Sequence, residues 1–494
     1  MSAYLELLAH ERQTRALAQV MGRLGWDQET MMPRGAAGQR AEEMGALEGV
    51  LHARRTDPRI ADWLGAVEAG DGPQDTAASA ILRHVRRDYN RHSRVPARLA
   101  EEIARTTSTA QGVWAEARAR DDLASFLPWL ARVLALKREE AAALAAGADP
   151  YDALLDDHEP GATAAGIGAM FDRMRPRLVA LRGAVLGAPN QPAPLKGEFD
   201  REGQLRLARL LAETFGYDFA RGRLDLAVHP FSSGSGADVR ITTRVVETDP
   251  FNCLYSTLHE VGHAAYEQNV SPAYALTPLG AGVSMGVHES QSRIYENQLG
   301  RSAAFTGWLF EKMRAEFGDP GIGDARAFHA TVNRVSPGFI RTEADEVQYN
   351  LHIMLRFDLE RALVAGDLLP RDLEAAWNDR FEADFGVRVT RPSLGMLQDV
   401  HWSIGLFGYF PTYTLGNVYA GCLMQALRRD RPDLDGELAA GDLSGATGWL
   451  RDKVQVHGAV MEPAEVIEQA CGLAPHEGPL LEYLDAKFAA IYAP

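Results

Sequence analysis

The chain has 494 residues, enough for about three units of ordinary domain size or for one large body with a cleft, with no need of disulfide staples. Apolar residues make up 46%, charged residues 24% and aromatics 8%, a balance that excludes disordered, collagenous and membrane-embedded classes. With 51 Lys and Arg against 67 Asp and Glu the formal charge is −16, so nucleic acid is excluded as an expected partner.

Cys253, Cys422 and Cys471 are an odd, scattered set with no CxxC pair, which fits a reducing compartment rather than a disulfide framework. The first residues lack a basic stretch followed by an apolar core, and no apolar run approaches the ~18 residues needed to span a bilayer. The expectation is a cytoplasmic protein with no membrane partner.

Through about residue 190 the pattern is helical. Leu17, Met21 and Leu24 recur at i, i+4, i+7, and Phe126, Leu130, Val133 and Lys137 repeat the stripe with a charged end. Breaks fall at Met32-Pro33-Arg34-Gly35, at Glu159-Pro160-Gly161 and across Ala188 to Gly203. None of these is long enough to be a free linker, and there is no internal repeat. One continuous catalytic domain over 1–494, with no linker-joined part, is therefore expected. At Val228 to Val246 the pattern changes. His229-Pro230-Phe231 and a Ser/Gly run read as a turn, and Asp238 to Val245 alternates apolar and polar residues as a strand does. Helices resume from about 252. The segment Ile340 to Glu360 reads as one helix, with Arg341, Asp345, Gln348, Tyr349 and His352 together on a polar face. An aromatic and Gly-rich stretch, His401 to Tyr413, precedes the closing helices. The fold class is mainly α with a small β-sheet.

His259-Glu260-Val261-Gly262-His263 is H-E-x-x-H in a helical context, flanked by Leu254, Leu258, Ala264 and Ala265. By chance this pattern arises only about 0.02–0.04 times in a chain of this length and composition. Four residues make about one helical turn, so both imidazoles leave one face and can meet at one ion such as Zn²⁺. Glu260, displaced by roughly 100° around the helix, is badly placed as a ligand but can reach water at the ion as its general base. A third ligand is required. The extended form, with a histidine six residues after His263, is absent because Asn269 stands there. Glu289, 26 residues after His263 in His288-Glu289-Ser290-Gln291-Ser292, is the first choice. Glu296 is the runner-up, and Glu267 is disfavoured because it shares the helix of His263.

The motifs His229-Pro230-Phe231, Asp238-Val239-Arg240-Ile241-Thr242, H-E-x-x-H, His288-Glu289-Ser290-Gln291-Ser292, Ile340-Arg341-Thr342-Glu343-Ala344-Asp345 and Gly395-Met396-Leu397-Gln398-Asp399-Val400-His401-Trp402 follow one another in order. In this series the chain resembles the carboxypeptidase Taq family of thermostable-type zinc metallocarboxypeptidases. Trp26-Asp27, Thr30-Met31-Met32-Pro33 and the stretch Tyr151 to Gly161 extend the likeness to nearly the whole sequence. The resemblance implies a two-lobed helical body of zincin, neurolysin-like kind with a deep active-site groove and the small sheet near the metal. It also implies a homodimer that removes single C-terminal residues from peptides with broad preference. By the same comparison His259, His263 and Glu289 are ligands of one divalent ion per chain, zinc first with cobalt or manganese as alternatives, and Glu260 is the catalytic carboxylate.

Exopeptidase action needs a cation for the free α-carboxylate of the peptide substrate, and the planar fork of Arg suits it. Arg341 is the first choice for that role, the alternative being a pair with Asp345 on the same helix face. For the developing oxyanion, His401, Tyr409 and Tyr413 are candidates, Tyr413 first. The Asp238 to Val245 strand reads either as an exposed edge that holds the peptide main chain or as a small sheet bracing the metal helix. Arg240 would support the groove through Asp238 or the substrate, and His229 is either a buried turn residue or a groove residue. An oligopeptide endopeptidase of similar fold is the competing reading. Glu260 argues against a third, a noncatalytic metal-binding scaffold, which has no use for a base beside the ion.

Overall fold

Side-chain caps start many of the helices where the sequence supplies Ser, Thr or Asp. Ser2, Asp149, Thr163, Asp200, Asp249, Ser284, Ser302 and Asp345 each accept a hydrogen bond from a backbone N–H of the turn they precede. The computed structural model describes residues 2–492 except 74. Helix dominates along the whole chain, and the expected breaks are real. The first helix, Ala3–Thr30, stops before Pro33, Pro150–Leu155 stops before Pro160, and an irregular stretch separates Ala164–Leu186 from Arg201–Thr214. Among the described residues no helix is long and apolar enough to cross a membrane.

The chain divides into two compact units, each assembled from three separated stretches. The first comprises Met1–Ser93, Ala193–Val332 and Tyr419–Pro475. It contains a three-stranded sheet of order β1-β3-β2, with β1 (Leu224–Leu226) parallel to β3 (Asp238–Thr243) and β2 (Ser232–Ser235) antiparallel to it. Val239 and Ile241 of β3 are fully buried, and the Thr243 hydroxyl donates to the Cys253 carbonyl at 3.0 Å, tying the sheet to the helix Pro250–Asn269. The hairpin end is fixed to the same helix by Gly236 N–H donating to the Glu267 carbonyl at 3.2 Å.

Two sequence expectations change here. The Ser/Gly run is not simply a turn, since Ser232–Ser235 is a strand, and β3 stops at Thr243 rather than Val245. β3 lies between its neighbours, with Asp238–Ile241 paired to β2 and Ile241–Thr243 paired to β1, so it is not a free edge along its whole length and the bracing role is favoured.

The second unit comprises Arg94–Pro192, Asn333–Val418 and His476–Pro494. Phe126, Leu130 and Val133 are buried along the helix Leu123–Ala145, and Lys137 at the end of their stripe is buried too, paired with Glu140. Phe171 and Tyr151 pack edge-on against Phe357 of the helix Glu346–Ala365. The segment expected to be helical from Ile340 is extended at Ile340, forms a single tight turn over Arg341–Glu343, and becomes α-helical only at Glu346. The cause is Asp345, whose carboxylate accepts from Val347 N–H and Gln348 N–H at 3.0 and 3.1 Å and so sets the N-terminus there. Farther along this helix the fully buried Glu360 accepts from Tyr151 OH at 2.8 Å, Trp402 Nε1 at 2.7 Å and Gly408 N–H at 3.1 Å. One carboxylate thereby pins the aromatic stretch that leads into Tyr413.

Candidate metal centre

The helix Pro250–Asn269 is held by its apolar residues. Cys253, Leu254, Leu258, Val261 and Ala264 are fully buried. That leaves His259 and His263 a turn apart with their side chains about one-fifth exposed and their ring centroids 4.9 Å from each other. The third group arrives because Gly262 stands between them. A Cβ on Gly262 would lie 2.4 Å from the Gln291 carbonyl oxygen and 2.6 Å from Ser292 Cα. Only glycine permits the helix Met285–Arg293 to approach this closely, and that approach brings Glu289 to the two histidines.

Glu289 Oε2 lies 3.4 Å from His263 Nε2 and 3.7 Å from His259 Nε2, and the three ligating atoms all fall within 4.8 Å of one another. A tetrahedral ion with bonds of ~2.0–2.1 Å has ligand-to-ligand edges of roughly 3.4 Å. The donor set, two imidazoles and one carboxylate, and its spacing therefore suit zinc or a similar divalent cation.

Each of these groups is oriented by a further partner. His259 Nδ1 lies 3.0 Å from Glu296 Oε2, which turns Nε2 toward the site. Glu289 accepts from Arg293 Nε at 2.6 Å through Oε1 and from Ser292 Oγ at 3.0 Å through Oε2. Burial alone would raise its carboxyl, but Arg293 and the neighbouring histidines hold it well below the usual carboxylate range. Burial likewise opposes the charge on Glu296, yet its bond to His259 and the nearby Arg293 and Arg301 pull it down to about 2. His263 goes the other way, pushed down to about 3 chiefly by burial, so it is neutral and able to ligate. Glu260 is 6% exposed, and burial pushes its carboxyl up to about 7, close to what a general base at neutral pH requires.

Of the predicted residues, His259, Glu260, His263 and Glu289 come together in the first unit. Glu296 sits beside them as the partner of His259. His229 is exposed in the connection before β2. Arg240 is held by Asp238 at 2.8 and 3.0 Å and lies 4.3 Å from the Trp26 ring centroid, with Arg23 also on Asp238. Arg341, His401 and Tyr413 gather in the second unit. Arg341 is 6% exposed and does not pair with Asp345. Its Nε and one terminal nitrogen donate to Asp399 Oδ1 at 3.0 and 2.8 Å, and the other to Tyr349 OH at 3.2 Å. Arg356 takes the second Asp399 oxygen at 2.7 Å. His401 Nε2 lies 3.2 Å from Tyr413 OH, and burial pushes this histidine down to about 3. Sequence reasoning missed Arg293, His288, Arg356 and Gly262. Arg293 had a local signal, since it follows Glu289 by four residues on a helix.

The sequence profile described as carboxypeptidase Taq (M32) metallopeptidase matches residues 6–488. The chain belongs to that family. It is 43% identical over 99% of both sequences to thermostable carboxypeptidase 1 of Thermus thermophilus, and 35% identical over 94% of both to the protein of that name from Pyrococcus furiosus. Among solved structures it superposes on the M32 carboxypeptidase of Deinococcus radiodurans R1 with a TM-score of 0.96, at 39% identity and full coverage of both chains. Trypanosoma cruzi metallocarboxypeptidase 1 follows with a TM-score of 0.95 at 34% identity, covering 98% of this chain and 99% of that one. As an M32 member the protein is a metal-dependent carboxypeptidase, and the endopeptidase reading is not favoured.

Proposed function

We propose that this M32 carboxypeptidase removes single residues from the free C-terminus of peptides with broad preference, using one divalent ion held by His259 Nε2, His263 Nε2 and Glu289 Oε2. Zinc is the first choice, cobalt and manganese the alternatives. The observation that carries the reading is the convergence of those three atoms beside a buried Glu260. When bound, the ion supplies a Lewis acid that polarises the scissile carbonyl and lets water react near neutral pH. Glu260 takes a proton from the attacking water and returns it to the leaving nitrogen, and the second water proton passes from the new acid to the amine, so water and the amide become a carboxylate and an ammonium group. Tyr413, with His401 on its hydroxyl, donates to the oxyanion as the carbonyl becomes tetrahedral.

Arg341 recognises the terminal carboxylate. Two buried guanidiniums, Arg341 and Arg356, face the single carboxylate of Asp399, which leaves positive charge unmatched in that cluster. A buried cation without a full complement of anions attracts one, and a peptide α-carboxylate has the right shape and charge. His229 and Arg240 belong to the same proposal as substrate-facing residues, Arg240 already rigid on Asp238 and Trp26. A single catalytic domain over 1–494 is part of the same proposal. Three buried cysteines, none of them in a disulfide, fit a cytoplasmic setting. The homodimer rests on the family resemblance.

The test compares a free-acid peptide with its C-terminal amide, with and without chelator, for wild type and Arg341→Ala. The expectation is cleavage of the acid only, lost with chelator, and a fall in kcat/KM of about 10–100-fold in R341A, the worth of a charge-assisted pair. Equal cleavage of acid and amide rejects the exopeptidase assignment, and an unchanged R341A moves the carboxylate site elsewhere.

A further inference from the structure

We propose that Glu267 and His288 form a proton-fixing relay behind His263, a positioning device for the metal that acts through the ligand's tautomer. The inference rests on the metal-centre reading above. A neutral imidazole carries one N–H, and the nitrogen that binds a cation must be the bare one. His263 Nε2 faces Glu289, so Nδ1 must carry the proton. Its partner is neither a carboxylate nor a carbonyl but another histidine, with His263 Nδ1 and His288 Nδ1 2.6 Å apart. Two nitrogens at that distance share one proton, so His288 Nδ1 is the acceptor. The proton of His288 then sits on Nε2, which lies 3.0 Å from Glu267 Oε1 and donates to it.

The line Glu267, His288, His263 therefore has one consistent assignment with both imidazoles neutral. In the reverse assignment His288 donates to His263 Nδ1, the His263 proton moves to Nε2, and the His288 Nε2 lone pair faces a carboxylate oxygen. The charge of Glu267 excludes that arrangement and so selects the ligating form of His263.

The surroundings are built for this line. Glu267 is 7% exposed, and its Oε1 also accepts Gly282 N–H at 2.9 Å. A Cβ on Gly282 would come within 2.7 Å of the His288 ring and 2.9 Å of the Tyr266 ring, so the glycine both anchors Glu267 and leaves space for His288. Glu267 shares the helix of His263 and comes a turn after it, which makes it unsuited as a ligand and well placed to reach His288. His288 in turn precedes Glu289, so one short segment delivers a ligand to the ion and an acceptor to the other ligand.

The experiment measures zinc affinity by chelator competition for wild type, His288→Ala, Glu267→Gln, the H288A/E267Q double variant and Glu289→Ala. Histidine-selective ¹⁵N spectra of the metal-free full chain supply a second readout. H288A should weaken zinc by about 10–100-fold, the range for partners of a ligating histidine, and E267Q by less. The double variant should match H288A, because Glu267 acts only through His288, whereas a merely structural role would add. The spectra should show His263 protonated at Nδ1 in wild type, with an Nε2-protonated fraction appearing in both single variants. E267Q is nearly isosteric and keeps the proposal testable if H288A does not fold. Zinc affinity retained in H288A but lost in E289A overturns the relay alone. Retention in both overturns the metal centre and the relay with it, and a wild-type His263 protonated at Nε2 overturns the relay directly.

Discussion

Glu260 occupies a position where a negative charge is opposed by burial, by Glu289 and by Glu296, and is favoured chiefly by His259. A carboxyl brought to about 7 in this way can both accept and return a proton near neutral pH, which is what amide hydrolysis asks of it. Glu260→Gln keeps the shape and removes the basicity, while the three ligating atoms are untouched. The expected outcome is full metal content by elemental analysis with kcat lowered about 10²–10⁴-fold, the usual worth of a general base. Wild-type kcat in a metal-loaded E260Q protein would remove Glu260 from the mechanism. At this scale the sequence was informative because H-E-x-x-H is a local geometric statement, one helical turn carrying two ligands and a base. The groups that orient those ligands were legible only in part. Glu296 was read as a possible ligand rather than as the partner of His259, Arg293 carried the i+4 signal, and His288 and Arg301 act through contacts created by the return of the chain, which no spacing marks out.

The approach of the helix Met285–Arg293 to the helix Pro250–Asn269 is the event that creates the site, and Gly262 governs it. Alanine there gains about 1 kcal/mol in helix propensity. Against this, its methyl group would lie 2.4 to 2.8 Å from three backbone atoms of Gln291 and Ser292, which cannot rotate away as a side chain could. Overpacking of that kind typically costs 1–3 kcal/mol, and three backbone clashes put it at the upper end. Gly262→Ala should thus lose roughly 1–2 kcal/mol net, lower the Tm, and weaken zinc binding as Glu289 is pushed outward. An unchanged Tm together with unchanged zinc affinity would show that the two helices separate without penalty. The x positions of the motif are therefore not all free, which the pattern itself does not say. Elsewhere element types were legible and element ends less so. The helix predicted from Ile340 begins at Glu346, although Asp345 followed by Glu346 is an N-cap signal present in the sequence. The strand Ser232–Ser235 was hidden because serine and glycine carry turn propensity, and only pairing with β3 makes them a strand.

Over the whole molecule, titratable groups buried in one protonation state set how stability follows pH. His401 is pushed down to about 3 by burial, and His352, 1% exposed beside Arg356 and Arg341, is held well below the usual histidine range by burial first and those guanidiniums second. Both stay neutral in the folded chain at pH values where the unfolded chain binds protons. Their stabilisation is complete above about 6.5 and is lost as the pH falls toward the folded values, at up to ~1.4 kcal/mol per pH unit for each histidine. Glu360 has the opposite sign. Burial raises it to about 7, so the folded chain holds its proton where the unfolded chain has released it, and that contribution is present below about 4.5 and disappears as the pH rises to 7. Because the two kinds of group partly cancel between pH 4.5 and 6.5, a stability curve alone does not separate them, whereas proton uptake on unfolding in a variant does. His352 packs against Phe381 and Phe385, its Nδ1 has no hydrogen-bond partner among the described residues, and His352→Phe therefore keeps an aromatic ring in an aromatic site while deleting the titration. At pH 5.5 the metal-free wild type should take up about 0.9 proton more than H352F when unfolded in urea, as measured by potentiometry, since an unfolded histidine of pKa ~6.5 is then roughly nine-tenths protonated. At pH 7.5 the difference should shrink to about 0.1 proton. Equal uptake by the two proteins at pH 5.5 would mean that His352 is already charged in the folded chain, and that the two guanidiniums beside it do not exclude its proton.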